Sequence, residues 1–191
     1  MMAGMGTSLL KRALAAAGIA VALAPSGCGG ALAEGAGEGG GGGGANALVG
    51  NPAPNFTAKG ILSRETVSIK RWRGQVVLVD FWGTFCEPCK KSFPKLQALS
   101  DKYGDRGLRV IGISEDEADD KDKIPDFARS HGAKFFLVWD EDKSIARSYR
   151  PETMPSTFVI DRHGIVRYAH VGFHDGEERQ LDGEVQGLLA K

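Results

Sequence analysis

The chain has 191 residues, 24 basic and 24 acidic side chains, a net charge of +0, and 42% hydrophobic residues. That balance excludes the basic face that nucleic-acid binding needs and suits one globular domain with a tail. Three cysteines are too few for a disulfide framework, and four scattered histidines leave a zinc site built on one Cys pair without its other ligands.

Residues 1–33 read as an export signal rather than as part of the fold. Lys11 and Arg12 form a basic start, and Ala13 to Ala24 an apolar run shorter than the roughly 18 residues of a spanning helix. Two processing sites compete. Pro25-Ser26-Gly27-Cys28 resembles a bacterial lipobox, which would make Cys28 a lipidated first residue and the lipid the only membrane contact. Ala31-Leu32-Ala33 is an A-x-A site, and cleavage there would discard Cys28 and leave a soluble protein. The short distance from the apolar run to Cys28 favours the first. Both readings export the protein, to a bacterial periplasm or cell envelope. Residues 34–49 form a Gly-rich linker, unbroken glycine from Gly39 to Gly44, expected to behave as flexible coil. The domain is expected over 50–191.

Phe56 to Ala58 and Thr66 to Ile69 alternate in polarity and predict a small hairpin. Val76 to Trp82 is almost continuously apolar, as a strand covered on both faces should be. The spacing of Phe93, Leu96, Leu99 and Tyr103 predicts a helix from Cys86 to Tyr103, kinked at Pro94. Leu108 to Ser114 predicts the next strand, parallel to the first through a right-handed crossover. The acidic run Glu115 to Asp122 is expected to form a solvated loop capping a helix that ends at Ser130. Lys134 to Trp139 then reads as a strand and Lys143 to Tyr149 as a short helix. Thr157 to Ile160 and Ile165 to Ala169 predict an antiparallel pair around the turn Asp161 to Gly164, with Gly164 at positive φ and His163 exposed. Leu181, Val185, Leu188 and Leu189 mark one face of a C-terminal helix. The element order gives an α/β fold, a central sheet with helices on both faces.

The chemistry concentrates where the apolar strand turns into the first long helix. Cys86 would sit at the helix N-terminus, where unpaired N–H groups and the helix dipole favour the thiolate. Cys89, one turn on, can attack any mixed disulfide that Cys86 makes. Asp80 interrupts the apolar strand. Burial should raise its pKa and fit it to take a proton from Cys89 near neutral pH.

The segments Pro52 to Phe56, Arg73 to Trp82, Cys86-Glu87-Pro88-Cys89 and Thr153 to Asp161 together resemble the thioredoxin superfamily, in its TlpA/ResA-like extracytoplasmic branch. Phe85 stands where that branch usually has Trp, and Asp80 where many members have Asn. The resemblance implies a thioredoxin-like fold, a central mixed sheet flanked by helices, with an N-terminal hairpin and an inserted helix after the acidic run. It implies thiol–disulfide exchange through a redox-active Cys86–Cys89 disulfide, with no metal and no other cofactor. It implies a cis bond at Pro155 that places Met154 beside Cys86, with Trp82 and Phe85 as an apolar wall for substrate. The implied partners are exported proteins carrying disulfides or dithiols and a membrane thiol reductant, and a role in cytochrome c maturation is allowed. Reduction is the favoured direction. A peroxiredoxin-like peroxidase would need a Pro-x-x-x-Thr-x-x-Cys motif that Thr84 and Cys86 do not match. A copper chaperone on this fold would need one more residue between the cysteines, although thiolates do bind Cu(I).

Overall fold

The structure, a computed structural model, describes residues 44–191 except residue 64. The export segment, Cys28 and the linker up to residue 43 lie outside the described residues. The central strand β3 (Val76–Trp82) is buried at every position, which explains its lack of polar alternation. It pairs in parallel with β4 (Leu108–Ser114), and β4 in parallel with β5 (Phe136–Trp139). On its other side β3 meets β6 (Ser156–Ile160) antiparallel, and β6 meets β7 (Val166–Val171) antiparallel. The mixed sheet therefore runs β5-β4-β3-β6-β7. A separate two-stranded hairpin joins β1 (Thr57–Lys59) to β2 (Thr66–Ser68).

Alternate residues of β3 point to opposite faces. Val76, Leu78 and Trp82 enter a core with α1 (Glu87–Tyr103), α2 (Ile124–Ser130) and α4 (Glu177–Leu189). Val77, Val79 and Phe81 enter a second core beneath α3 (Ser144–Tyr149) and the hairpin. Asp80 thus belongs to the face that α1 covers, the same face as both cysteines. The fold is thioredoxin-like, with α2 inserted between β4 and β5. On α1 the side chains of Phe93, Leu96, Leu99 and Tyr103 are all buried, and Pro94 lies inside the helix. Gly112 of β4 leaves no room for a side chain. A Cβ there would meet Leu137 Cδ2 at 2.8 Å and Trp82 Nε1 at 2.9 Å.

Two expectations from composition need correcting. Ala45–Leu48 form a 3-10 turn with Ala45 fully buried, although they stand in the stretch read as linker. The Gly50 N–H donates to Val166 O at 2.8 Å and Val166 N–H to Asn51 O at 3.0 Å, so these residues extend the β7 edge of the folded unit. Burying Ala45 and pairing an otherwise open strand edge outweigh the local glycine bias. The acidic run is also not one solvated loop. Glu115 and Asp116 are buried, Glu117 to Asp119 and Asp122 exposed, and no acidic side chain caps α2. The first two residues prolong β4, where the Glu115 N–H donates to Trp82 O at 2.8 Å.

Candidate redox site

β3 ends at Trp82 and the chain turns through Gly83, Thr84 and Phe85 into α1. Cys86 is the N-cap of that helix. Its Sγ accepts the Cys89 N–H at 3.2 Å, and its own N–H donates to Gly83 O at 3.0 Å. Pro88 sits in the first turn, where a missing N–H costs nothing. Cys86 and Cys89 are joined by a disulfide, with their Cα atoms 5.3 Å apart. Cys86 keeps 6% of its surface exposed and Cys89 none, so an incoming sulfur reaches Cys86 first. The Glu87 carboxylate is exposed and accepts from Lys90 Nζ at 2.5 Å. That ion pair holds its pKa down and offsets its charge beside Cys86.

A groove of about 430 Å³ opens at Cys86, lined by Phe85, Pro88, Pro151, Glu152, Thr153 and Met154. The Met154–Pro155 bond is cis. Phe85 is 65% exposed and supplies an apolar wall. Trp82 does not. It has no exposed surface and packs edge-on to Phe93 at 4.5 Å, so its assignment to the substrate wall is withdrawn in favour of the core. A larger hollow, about 880 Å³ between the hairpin and α3, contains neither cysteine and offers no sulfur chemistry.

Asp80 is completely buried. Thr157 Oγ1, opposite it on β6, donates to Oδ1 at 2.7 Å, and Oδ2 has no partner among the described residues. Desolvation raises its pKa to about 7, against the lowering by Thr157 and with a smaller push from Glu177 at the start of α4. Sequence reasoning missed Thr157 and Glu177, which are 77 and 97 positions from Asp80 along the chain; no local pattern marks them. One acid of the run read as a solvated loop also approaches the redox turn. The structure brings Asp116 there, its carboxylate accepting from Thr84 N–H at 2.9 Å. Among the described residues no group of three or more His, Cys, Asp or Glu could hold a metal ion.

This arrangement supports one chemistry, exchange of a disulfide through a sulfur at a helix end with a second sulfur behind it. The protein is a thiol–disulfide oxidoreductase on a thioredoxin-like fold. Comparison with known proteins agrees. The model of the AhpC/TSA family matches residues 49–169, and the chain belongs to that family. Thiol-disulfide oxidoreductase ResA of Bacillus anthracis is 32% identical over 140 residues, 73% of this chain and 78% of that protein. Thioredoxin-like protein YneN of Bacillus subtilis is 32% identical over 124 residues, 64% of this chain and 71% of that protein. A structure from Chlorobium tepidum, assigned as thiol:disulfide interchange protein DsbE, superposes with a TM-score of 0.68 at 30% identity. The match spans 74% of this chain and 97% of that one. Within the thioredoxin superfamily the chain is closely related to the TlpA/ResA-like proteins.

Proposed function

We propose that this protein works outside the cytoplasm as a reductant of disulfides in exported proteins. The observation that carries the reading is the disulfide at the N-terminus of α1, its outer sulfur hydrogen-bonded to the Cys89 N–H. In the dithiol form the Cys86 thiolate attacks a substrate disulfide. A bond forms between Cys86 Sγ and one substrate sulfur, and the other substrate sulfur leaves with the electron pair. Asp80 then takes the Cys89 proton. Cys89 attacks Cys86 Sγ, closes the protein disulfide and releases the second substrate thiol. A membrane dithiol reductant returns two electrons and two protons. The backbone at Met154 pairs with an extended substrate segment laid against Phe85, Pro88 and Pro151. Glu87 beside Cys86, its charge only partly offset by Lys90, trims thiolate stabilisation slightly, and a less stable thiolate makes the couple more reducing. A role in cytochrome c maturation fits the same chemistry.

The purified full-length chain is expected to reduce insulin disulfides with dithiothreitol as electron source. Its potential against glutathione is expected below about −200 mV, on the thioredoxin side of the scale. A value near about −120 mV would reverse the direction of the proposal. Consumption of peroxide without insulin reduction would replace the reading with a peroxidase.

We further propose a lipid anchor at Cys28, supported by its position just past the apolar run. Cells fed labelled palmitate should incorporate it into the protein and lose the label in Cys28→Ser. A soluble product beginning at Glu34 would rule the anchor out.

A further inference from the structure

Asp116 is a buried carboxylate to which disulfide exchange assigns no step. Its place follows from strand register. Trp82 of β3 lies opposite Ser114 of β4, and the ladder runs one bond further, from the Glu115 N–H to Trp82 O. Two residues past each register partner stand Thr84 and Asp116. Thr84 belongs to the turn that delivers Cys86 to the helix end.

Asp116 has no exposed surface. Its Oδ1 accepts from Thr84 N–H at 2.9 Å and from Thr84 Oγ1 at 2.5 Å. Its Oδ2 accepts from Thr84 N–H at 3.1 Å and from Ser114 Oγ at 2.7 Å. The Thr84 N–H can only donate, and the hydroxyls of Thr84 and Ser114 are free to do the same, so both carboxylate oxygens are satisfied. The main chain of Asp116 is held as firmly. Its carbonyl accepts from Trp139 Nε1 at 2.8 Å and from Lys143 Nζ at 3.0 Å, and Lys143 Nζ also reaches Glu115 O at 2.6 Å. Lys143 is kept at φ 57°, a backbone conformation uncommon for a side-chain-bearing residue, while making both bonds.

We infer that Asp116 is a positioning residue of the redox centre: it anchors the turn carrying Cys86 and, as a fixed anion behind that turn, holds the couple toward its disulfide form. A negative charge near the helix end opposes the Cys86 thiolate. A disfavoured thiolate makes the dithiol less stable and the couple more reducing. The other charges around Asp116 are Lys143 at its carbonyl, paired with Glu117 at 3.6 Å, Lys123, which feels its charge, and Glu115 facing Asp140; Asp80, on the cysteines' face of β3, is common to wild type and variants. Beside Cys86 stand Glu87, paired with Lys90, and Glu152 across the groove. Of these acids Asp116 alone is bonded to the turn itself. The inference rests on Cys86 being the attacking thiol.

The test uses the full chain as wild type, Asp116→Asn and Thr84→Val, each reduced and read in two ways. One is the pH dependence of iodoacetamide modification at Cys86, located by mass spectrometry. The other is equilibration with glutathione, in which two glutathione thiols supply two electrons and two protons to the protein disulfide and leave as oxidised glutathione. The Asn amide oxygen can still accept from Thr84, and its NH2 can donate to Ser114 Oγ with that hydroxyl turned to accept, so the anchor to the turn is kept while the charge goes. The alkylation midpoint of Asp116→Asn is expected to fall by about 0.5–1 pH unit. Its equilibrium should move toward the dithiol by about three- to tenfold, or about 15–30 mV. Thr84→Val keeps the anion and removes a donor that offsets it, so its midpoint is expected to rise. An unchanged or raised midpoint in Asp116→Asn overturns the inference. Should that variant fail to fold, Thr84→Val decides alone, and an unchanged or lowered midpoint there has the same consequence. A wild type that never equilibrates with glutathione would instead sink the oxidoreductase reading.

Discussion

Cys86→Ser is expected to remove insulin reduction down to the uncatalysed background, a loss of at least about 10³-fold for an essential nucleophile. A serine hydroxyl at the helix end forms no disulfide and stays protonated at neutral pH, so no intermediate can begin. Cys89→Ser should fail differently. Cys86, with its 6% exposure, still attacks, but nothing resolves the bond it makes. That variant should accumulate a covalent adduct with a peptide disulfide, visible as an added mass that dithiothreitol removes. An adduct trapped by Cys86→Ser in place of Cys89→Ser would invert the assignment of outer and inner sulfur. Burial makes that inversion hard to accommodate, because Cys89 has no exposed surface.

Asp80→Asn should alter stability and rate in opposite senses. The folded protein holds the Asp80 carboxyl at about 7, against an ordinary value of 3.8. Between those values the folded state binds more protons than the unfolded one, so stability falls as pH rises through that window. The contribution of Asp80 is highest below about pH 4 and levels off above about pH 7. A shift of this size corresponds to about 4 kcal/mol of burial cost at pH 8, as an order of magnitude. Asn carries no such charge, and Thr157 Oγ1 can still donate to its amide oxygen. The variant should be about 2–4 kcal/mol more stable than wild type at pH 8, with the difference shrinking toward pH 4. Urea melts at pH 4.5 and pH 8 would read this directly. Because Asn accepts no proton from Cys89, resolution of a preformed mixed disulfide at pH 7 should slow by about 10²-fold. Equal rates in the two proteins would remove Asp80 from the mechanism and leave it a buried, hydrogen-bonded carboxyl.

The elements most legible in the sequence are those whose signal is local and whose burial is extreme. β3 spans Val76–Trp82 as its apolar run predicts, because a strand covered on both faces has no polar positions to blur its ends. The interruption at Asp80 was visible for the same reason. In α1 the face of Phe93, Leu96, Leu99 and Tyr103 and the helix-end cysteines follow from a period of 3.6. The acidic run misled because composition registers charge and ignores the strand ladder, which carried Glu115 and Asp116 inside before the chain turned out to water. Ala45 misled for a related reason. It sits next to glycine and becomes core only because the β7 edge is there to receive it.

From the order of its residues alone this protein had its redox pair, the helix that pair begins, the carboxyl in the strand before it and the class of fold. Those depend on contacts within one turn or one strand. Tertiary structure alone decided that Trp82 is core and Phe85 exposed at the groove, that Thr157 and Glu177 modify the proton affinity burial gives Asp80, and that Asp116 grips the turn at Thr84. Each of these joins groups that only the sheet register and the packing of α1 and α4 bring together. Separation along a chain says nothing of separation in space once strands 30 or more residues apart lie side by side, about 5 Å from one another.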